Sequence, residues 1–490
     1  MKRSSVWQRV ALPLLASTLL VLPAGCGPGV PQGEAACSEL HLDRKPGRIP
    51  VILVINDAMR RDRVGVYGGR AETPAFDRFA RENLLFNAAF SQAPWTIPSV
   101  TTLFTSLYPS QHGMQTEAGS SREALVLPET LTTLAEVFRN AGYKTAAFVS
   151  NPWMAKRFGF AQGFDTYEES ESWSHDGKAL SEAALAWLRE VPEGEPFFLY
   201  LHYIDSHRPY PALELDELRA QAERIRSDAR PVSEPARQEI SAVMSIKDGG
   251  LAGVLVERRI ALLEIAYEKG IANFDRAFGH FLAGFDNSWA ARDAAILVTS
   301  DHGESLFDRG FGNHGQSLHD DEIAIPLAAR LPGVRASAEP ISCQVGLIDV
   351  LPTLCDYLDL NCAQPLFGRS WFSVSAERRW LATEGVGGQP RHRTIRNREW
   401  KLMWEPDNPP DGPLASPYRL YRANTDPGEQ TPLTTSEDAD ALRSFEVLES
   451  ALRSAVPAFE RPAQNAAPID PALEERLRGL GYLDDHPTKR

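Results

Sequence analysis

Four short apolar segments that end abruptly in polar residues constrain the fold of this chain most strongly. They span residues 50–55, 145–149, 197–204 and 294–298. Continuous apolar runs of this length are typical of strands buried on both faces, as in parallel sheets. Helical patterns lie between them, including a long one over residues 262–282. The alternation predicts an α/β sandwich with a largely parallel central sheet.

Two regions depart from this alternation. Residues 212–250 are charged and interrupted by proline, so we interpret them as a surface insertion in a main domain of residues 48–370. Over residues 371–490 the pattern changes to short strands and turns, which predicts a small C-terminal subdomain with an antiparallel sheet.

The first 25 residues form a predicted signal peptide. Lys2, Arg3 and Arg9 precede an apolar run over residues 10–22, which is too short to span a bilayer comfortably. We therefore predict that residues 1–25 are removed on export.

The predicted signal peptide ends in small residues before Cys26, as at a bacterial lipoprotein processing site, although Pro23 stands where a leucine is usual. We predict a lipid on Cys26 and a tether over residues 26–47. The protein would then be anchored to the bacterial membrane, facing the periplasm or cell surface. An ordinary signal peptide with an incidental Cys26 is the alternative.

Charge and cysteine content narrow the class of protein. The formal net charge is −14, which argues against a general affinity for nucleic acid. An exported chain can form disulfides, but the sequence does not reveal the pairing among the other four cysteines. They are Cys37, Cys343, Cys355 and Cys362.

Acidic and histidine side chains follow three of the four predicted strands. They are Asp57, Asp205 with His207, and Asp301 with His302. Ligands of open α/β sheets bind beyond the carboxyl ends of the strands, so we expect these side chains to converge. A single aspartate there is more often a helix cap or turn residue, but three at one edge favour a divalent cation site.

Thr96 is predicted to lie just before the start of a helix that carries Val100, Leu103 and Phe104 on its inner face. Exposed N–H groups and the helix dipole stabilise an oxyanion at such a position. Thr96 can serve as a helix cap. Beside a metal, however, its hydroxyl gains a lower pKa and becomes a nucleophile.

Several segments resemble those of sulfatase-like enzymes in the alkaline phosphatase superfamily, and they occur in the family order from about residue 48 onwards. The resemblance implies an alkaline phosphatase-like sandwich and a metal-dependent ester hydrolase. The segments are residues 57–62, 94–113, 202–210, 299–304, 314–315, 326–327, 349–354 and 480–483.

The same resemblance implies roles for individual residues. His207 and His314 would bind the transferred group or protonate the leaving oxygen, whereas we expect His112 and His319 to be structural. Thr96 would attack the substrate. The implied metal ligands are Asp57, Thr96, Asp301 and His302.

The nucleophile segment departs from true sulfatases. Those enzymes carry a cysteine or serine that is oxidised to formylglycine, followed by an arginine four residues later. Here the two positions are Thr96 and Val100. Because threonine is not converted to formylglycine, its alcohol must act directly. His302 as a ligand favours zinc or manganese, with calcium as the alternative.

These observations predict a hydrolase of phospho-, phosphono- or sulfo-esters that forms a covalent Thr96 intermediate. The substrate would be a small molecule or a glycan or lipid ester. A phospho-headgroup transferase, a true sulfatase and a degenerate binding lipoprotein stay open as alternatives. Such transferases usually carry several membrane helices, and this chain has one short apolar segment, which favours hydrolysis.

Overall fold

Strands and helices alternate along the chain. The computed structural model describes residues 40–482, except residues 44, 116–122, 171–175, 229–258, 337–338, 363, 373–379, 387–388, 407–416, 434–438, 459 and 481. The strands are β1 (Leu40–Leu42), β2 (Val51–Asn56), β3 (Leu84–Phe90), β4 (Glu123–Val126), β5 (Lys144–Val149), β6 (Thr166–Glu169), β7 (Phe197–Tyr203), β8 (Ala295–Thr299), β9 (Ser305–Leu306), β10 (Gly312–Asn313), β11 (Ala324–Arg330), β12 (Val334–Ala336), β13 (Val345–Gly346), β14 (Leu381–Val386), β15 (Gln389–Arg396), β16 (Trp400–Trp404), β17 (Tyr418–Arg422) and β18 (Asn465–Pro468). The α-helices are α1 (Pro74–Glu82), α2 (Thr96–Thr105), α3 (Pro109–His112), α4 (Leu134–Asn140), α5 (Gly177–Glu190), α6 (Leu215–Ala220), α7 (Ala222–Ser227), α8 (Arg259–Phe285), α9 (Asp320–Ile323), α10 (Val350–Leu358), α11 (Ala439–Ser454) and α12 (Pro471–Gly479).

The central sheet has eight strands in the order β13–β3–β11–β8–β2–β7–β5–β6. Strands β8, β2, β7, β5 and β6 run parallel, and they include all four apolar segments of the sequence. The predicted largely parallel sheet is therefore confirmed. Strand β11 is antiparallel to β3 and β8, because residues 300–323 stay at the carboxyl edge and the next strand must run back.

Both faces of the sheet are covered by helices. Val51, Leu53 and Ile55 of β2 pack in the cluster that contains α2, α4, α10 and α12, whereas Ile52 and Val54 pack in the cluster with α1, α5 and α8. These five side chains are fully buried. Burying one such side chain contributes about 1.5–3 kcal/mol to folding, so the apolar strands fix the sandwich.

A separate antiparallel sheet in the order β14–β15–β16–β17 confirms the predicted C-terminal architecture. Helix α11 covers one face of this sheet through Leu448, which clusters with Ile395 and Leu402. On the other face, Met403 packs with Phe90 of the main domain. Contacts gather the described residues between Leu40 and Tyr482 into one compact unit.

The insertion predicted for residues 212–250 is described up to residue 228. It folds into α6 and α7, and Leu218 and Ile225 are buried rather than exposed. Arg224 bonds both Glu264 and Glu268 of the long helix α8. This part of the predicted surface insertion is therefore packed against α8.

The structure also bears on the cysteines and on membrane insertion. Cys355 and Cys362 form a disulfide. No helix in the described part of the chain is long and apolar enough to cross a bilayer. The predicted signal peptide and Cys26 lie outside the described residues.

Candidate active site

The predicted nucleophile and metal ligands meet at the carboxyl edge of the central sheet. Asp57 directly follows β2, and Asp301 and His302 follow the neighbouring parallel strand β8. Thr96 is the first residue of α2 rather than the residue before it. All four side chains are fully buried. They converge because parallel neighbours end at the same edge.

The four side chains lie within a few ångströms of one another. Thr96 Oγ1 is 3.3 Å from His302 Nε2 and 3.5 Å from Asp57 Oδ2. His302 Nε2 is also 3.5 Å from Asp57 Oδ1 and 3.5 Å from Asp301 Oδ2. One ligand atom each from Asp57, Asp301 and His302 lies within 4.8 Å of the other two.

The donor set fits a divalent cation. Asp57 Oδ1 and Asp301 Oδ2 are buried and have no hydrogen-bond partner among the described residues. His302 Nδ1 lies 2.8 Å from the Gly303 carbonyl, which places its proton on Nδ1 and directs the lone pair of Nε2 towards the carboxylates. Unpartnered buried carboxylate oxygens are costly unless a cation balances them. Two carboxylates and an imidazole match the preferences of zinc and manganese.

The electrostatics of the cluster also favour a positive charge at this position. Burial and the nearby Asp57 carboxylate raise the pKa of Asp301. Burial opposes protonation of His302, but the carboxylates of Asp301 and Asp57 outweigh it and raise its pKa. A cation is therefore stabilised at this position, and a metal ion can replace the proton that His302 otherwise binds.

Hydrogen bonds hold the first turn of α2, directly after Thr96, in place. Ser99 Oγ donates to the Asp301 carbonyl at 2.6 Å and lies 2.9 Å from Ser91 Oγ. Every residue of this helix is buried. The N–H groups of its first turn therefore lie beside Thr96 at a fixed position, where they favour developing negative charge.

His207 and His314 flank the cluster. The His314 ring centroid is 4.4 Å from that of His302 and 5.1 Å from that of His207. His207 Nδ1 donates to the Arg208 carbonyl at 2.6 Å, and His314 Nδ1 donates to Glu304 Oε2 at 2.8 Å. Each contact fixes the tautomer and leaves Nε2 as the proton-accepting atom.

Burial and charge set the protonation of these groups. Burial lowers the pKa of His207 to about 3. Burial also lowers the pKa of His314, although the Glu304 carboxylate opposes this effect. Burial acts against ionisation of Glu304, but His314 holds its pKa at about 2. Of the two flanking histidines, His314 therefore carries a positive charge more readily, because the Glu304 carboxylate is its partner.

Two residues without a predicted role, Asn151 and Tyr482, lie beside the nucleophile. Asn151, which follows β5 at the same sheet edge, donates through Nδ2 to Asp57 Oδ2 and lies 3.4 Å from Thr96 Oγ1. The same nitrogen donates to the Tyr482 hydroxyl at 2.7 Å. The strand-end rule could have found Asn151. Tyr482 lies in a segment that resembles the family, but the resemblance implied no role for it.

His202 is a further contact that the sequence reasoning missed. Its Nε2 lies 3.4 Å from Asp57 Oδ2, and its Nδ1 lies 2.8 Å from the Tyr200 hydroxyl. Burial raises the pKa of Asp57, but the hydrogen bond with His202 and the neighbouring histidines hold it well below the usual range. Tyr200 and His202 are alternate residues of β7, which puts them on one face of the strand.

Other residues considered in the sequence do not join the cluster. Asp205 accepts from the Gly177 N–H at 3.3 Å, lies outside the group of candidate ligands, and burial raises its pKa to about 7. His112 is fully buried and bonds the Met114 N–H at 3.0 Å. His319 is buried as well, and it precedes α9.

Comparisons with known proteins identify the family of this chain. The Sulfatase family model matches residues 50–360, more than half of the chain. An endo-4-O-sulfatase of Bacteroides thetaiotaomicron is 24% identical over 357 residues, which cover 62% of this chain and 66% of that protein. Arylsulfatase K of Rattus norvegicus is 22% identical over 461 residues, covering 83% of this chain and 77% of that protein.

The fold is shared with solved structures. The crystal structure of the phosphonate monoester hydrolase of Agrobacterium radiobacter aligns with a TM-score of 0.63 at 20% identity, covering 83% of this chain and 95% of that one. Sulfatase-family enzymes are metal-dependent, which agrees with the ligand group described above. The chain belongs to the sulfatase family of the alkaline phosphatase superfamily and is an ester hydrolase.

Proposed function

We propose that this protein hydrolyses phospho-, phosphono- or sulfo-esters through a covalent intermediate on Thr96, and that phosphonate and phosphate diesters react faster than sulfates. The observation that carries the proposal is the position of Thr96 Oγ1, which lies 3.3 Å from His302 Nε2 at the first turn of a buried helix. A hydroxyl placed beside candidate metal ligands and helix N–H groups is suited to nucleophilic attack.

Asp57, Asp301, His302 and Thr96 Oγ1 would hold a divalent cation. When bound, the cation supplies Lewis acidity that lowers the pKa of the Thr96 hydroxyl and neutralises charge on the transferred group. Thr96 Oγ1, having lost its proton to solvent, attacks phosphorus or sulfur, and the bond to the ester leaving oxygen breaks with its electron pair on that oxygen. The N–H groups of α2 stabilise the oxygens that gain negative charge.

The two flanking histidines supply proton transfer. Glu304 accepts the Nδ1 proton of His314 and stabilises its charged form, so His314 is suited to protonate the leaving oxygen from Nε2. His207 donates its Nδ1 proton to the Arg208 carbonyl, so Nε2 is the nitrogen that can take a proton from the attacking water. Each transfer of this kind accelerates a reaction by about 10²–10⁴-fold.

The proposed preference for phosphorus esters over sulfate esters follows from the chemistry of the nucleophile. A formylglycine hydrate expels sulfate by using its second hydroxyl, and Thr96 has none. Val100, at the position of the sulfatase arginine, lies in the hydrophobic core and supplies no cation. Water must therefore attack the adduct directly, and this is an accessible route for a phosphorus ester with a base and an acid in place.

Sulfate ester hydrolysis is the second candidate. It is favoured by the relatives named endo-4-O-sulfatase and arylsulfatase K. A glycan, a lipid ester or a small ester is the substrate class in either case. The cluster of Thr96 with three candidate ligands speaks against a degenerate binding protein.

We also propose that the enzyme is exported and anchored by a lipid on Cys26. The Cys355–Cys362 disulfide supports an oxidising compartment.

A substrate screen tests the proposal. The purified, metal-supplied protein is assayed with matched 4-nitrophenyl esters of a phosphonate, a phosphate diester, a phosphate monoester and sulfate. We expect the phosphonate and the diester to be turned over faster than sulfate, and Thr96→Ala to abolish all turnover. Faster sulfate hydrolysis would replace the first candidate by the second.

A further inference from the structure

Tyr482, close to the C-terminus, reaches the catalytic centre. Its hydroxyl oxygen lies 2.7 Å from Asn151 Nδ2, and the same nitrogen lies 3.4 Å from Thr96 Oγ1. Its ring centroid is 4.6 Å from that of His207 and 6.1 Å from that of His314. Tyr482, which follows Thr96 by 386 positions in the chain, thus lies beside the proposed nucleophile and both flanking histidines.

The segment before Tyr482 is fixed on the main domain. Strand β18 pairs with β4, Asp470 forms an ion pair with Arg157, and Leu473 and Leu477 of α12 are buried. The Tyr482 N–H donates to the Leu477 carbonyl at 2.8 Å. These contacts hold the phenol in place with little additional loss of conformational freedom during the reaction.

The hydrogen-bond directions around Asn151 make the Tyr482 oxygen an acceptor and leave the phenol proton to be donated elsewhere. Asn151 Oδ1 accepts from the Trp153 N–H at 2.8 Å, which orients Nδ2 towards Asp57 and Tyr482. The phenol oxygen therefore accepts from Asn151, and its own O–H is left to donate. A phenol keeps its proton at neutral pH, and Thr96 Oγ1, which lies near the same Asn151 nitrogen, is the reacting atom beside it.

We propose that Tyr482 is a catalytic residue whose O–H stabilises Thr96 Oγ1 as the covalent adduct is hydrolysed. This step rests on the proposed Thr96 chemistry. Water attacks phosphorus, the bond between phosphorus and Oγ1 breaks, and the electron pair stays on Oγ1. The water proton passes to a neutral imidazole of the site, which returns a proton to Oγ1. Tyr482 keeps its own proton and donates a hydrogen bond throughout.

The two half-reactions respond differently to this hydrogen bond. During adduct formation Oγ1 is the nucleophile, and a donor on it gives no acceleration. During hydrolysis Oγ1 is the leaving group, and a donor stabilises its developing charge. Loss of the phenol hydroxyl therefore slows the second half-reaction and makes the Thr96 adduct accumulate.

The test compares Tyr482→Phe with wild type in the full, metal-supplied chain. The probe is a 4-nitrophenyl phosphonate monoester, followed by rapid mixing and by mass spectrometry of the acid-quenched protein. In the variant we expect a burst of about one nitrophenolate per site, a steady-state rate lower by about 100-fold, and the adduct mass on the peptide that contains Thr96.

Tyr357→Phe is the matched control, because it removes a buried phenol hydroxyl that donates to the Pro332 carbonyl at 2.6 Å, away from the site. It should keep wild-type turnover. Wild-type rates in Tyr482→Phe, or a slow variant with neither burst nor adduct, would overturn this inference alone. Wild-type turnover that survives Thr96→Ala would overturn the proposed function, and this inference with it.

Discussion

The hydroxyl oxygen of Thr96 lies 3.3 Å from Nε2 of His302, although 206 positions separate the two residues in the chain. The contact exists because α2 begins beside the end of β8, and Ser99 ties the helix to the Asp301 carbonyl. One residue supplies an alcohol and the other an imidazole lone pair. The proposed chemistry depends on this contact.

Removing one carboxylate should remove the metal. Asp301→Asn keeps the shape of the side chain but deletes the charge of one of the three candidate ligands. We expect loss of bound metal by elemental analysis and loss of the rise in melting temperature that metal gives the wild type. Asp205→Asn is the control, since Asp205 is a buried strand-end aspartate outside the group, and it should keep its metal. Full occupancy in Asp301→Asn would be incompatible with the assignment.

The Glu304 carboxylate should control the alkaline limb of the pH profile through His314. It raises the pKa of His314 against the effect of burial, so Glu304→Gln lowers that pKa further. Less His314 is then protonated at a given pH. We expect kcat to fall by about 100-fold and the alkaline limb of its pH profile to move to lower pH. Tyr210→Phe removes only a neutral hydrogen bond to Glu304 at 2.9 Å and should leave that limb unmoved.

Buried His112 should make the fold sensitive to acid. Burial lowers the pKa of His112 to about 3, so between pH 3 and about 6.5 the unfolded chain binds a proton that the folded chain does not. Stability therefore falls as the pH falls through this range. From pH 7 to pH 5 this group costs about 2 kcal/mol of unfolding free energy.

Urea unfolding of wild type and His112→Asn at these two pH values measures this difference in stability. The variant should lose about 2 kcal/mol less than wild type between pH 7 and pH 5. Equal losses in the two proteins would mean that His112 is protonated without penalty in the folded state.

Much of this architecture could be predicted because it depends on local patterns. Continuous apolar runs such as residues 51–55 identified the buried strands, and the polar residues after them identified the edge that carries the site. Asp57, Asp301 and His302 were accessible to this reasoning because position in a parallel sheet determines where a strand-end side chain points.

The remaining contacts depend on long-range packing. Asp205 follows a strand as Asp57 does, yet it bonds the start of α5 instead of joining the ligand group. Tyr482 reaches Asn151 only because β18 and α12 pack on the main domain. Neither outcome is encoded in a local pattern, since both depend on how distant segments meet.

The proposed anchor makes a separate prediction. Cys26→Ala should release the protein from the membrane fraction in soluble form, whereas wild type should stay with membranes and carry a lipid mass on its N-terminal residue. Fractionation followed by intact-mass measurement checks this. A wild-type protein that is already soluble and unlipidated would contradict the anchor without affecting the catalytic proposal.

The central claim is that Thr96 carries the transferred group. The direct measurement is peptide mass spectrometry of acid-quenched protein after reaction with a 4-nitrophenyl phosphonate monoester. Thr96→Ser keeps a hydroxyl and should retain part of the activity and of the label, whereas Thr96→Ala should lose both. The account predicts a phosphonyl mass on the peptide containing Thr96 in wild type. Wild-type turnover by Thr96→Ala would contradict it.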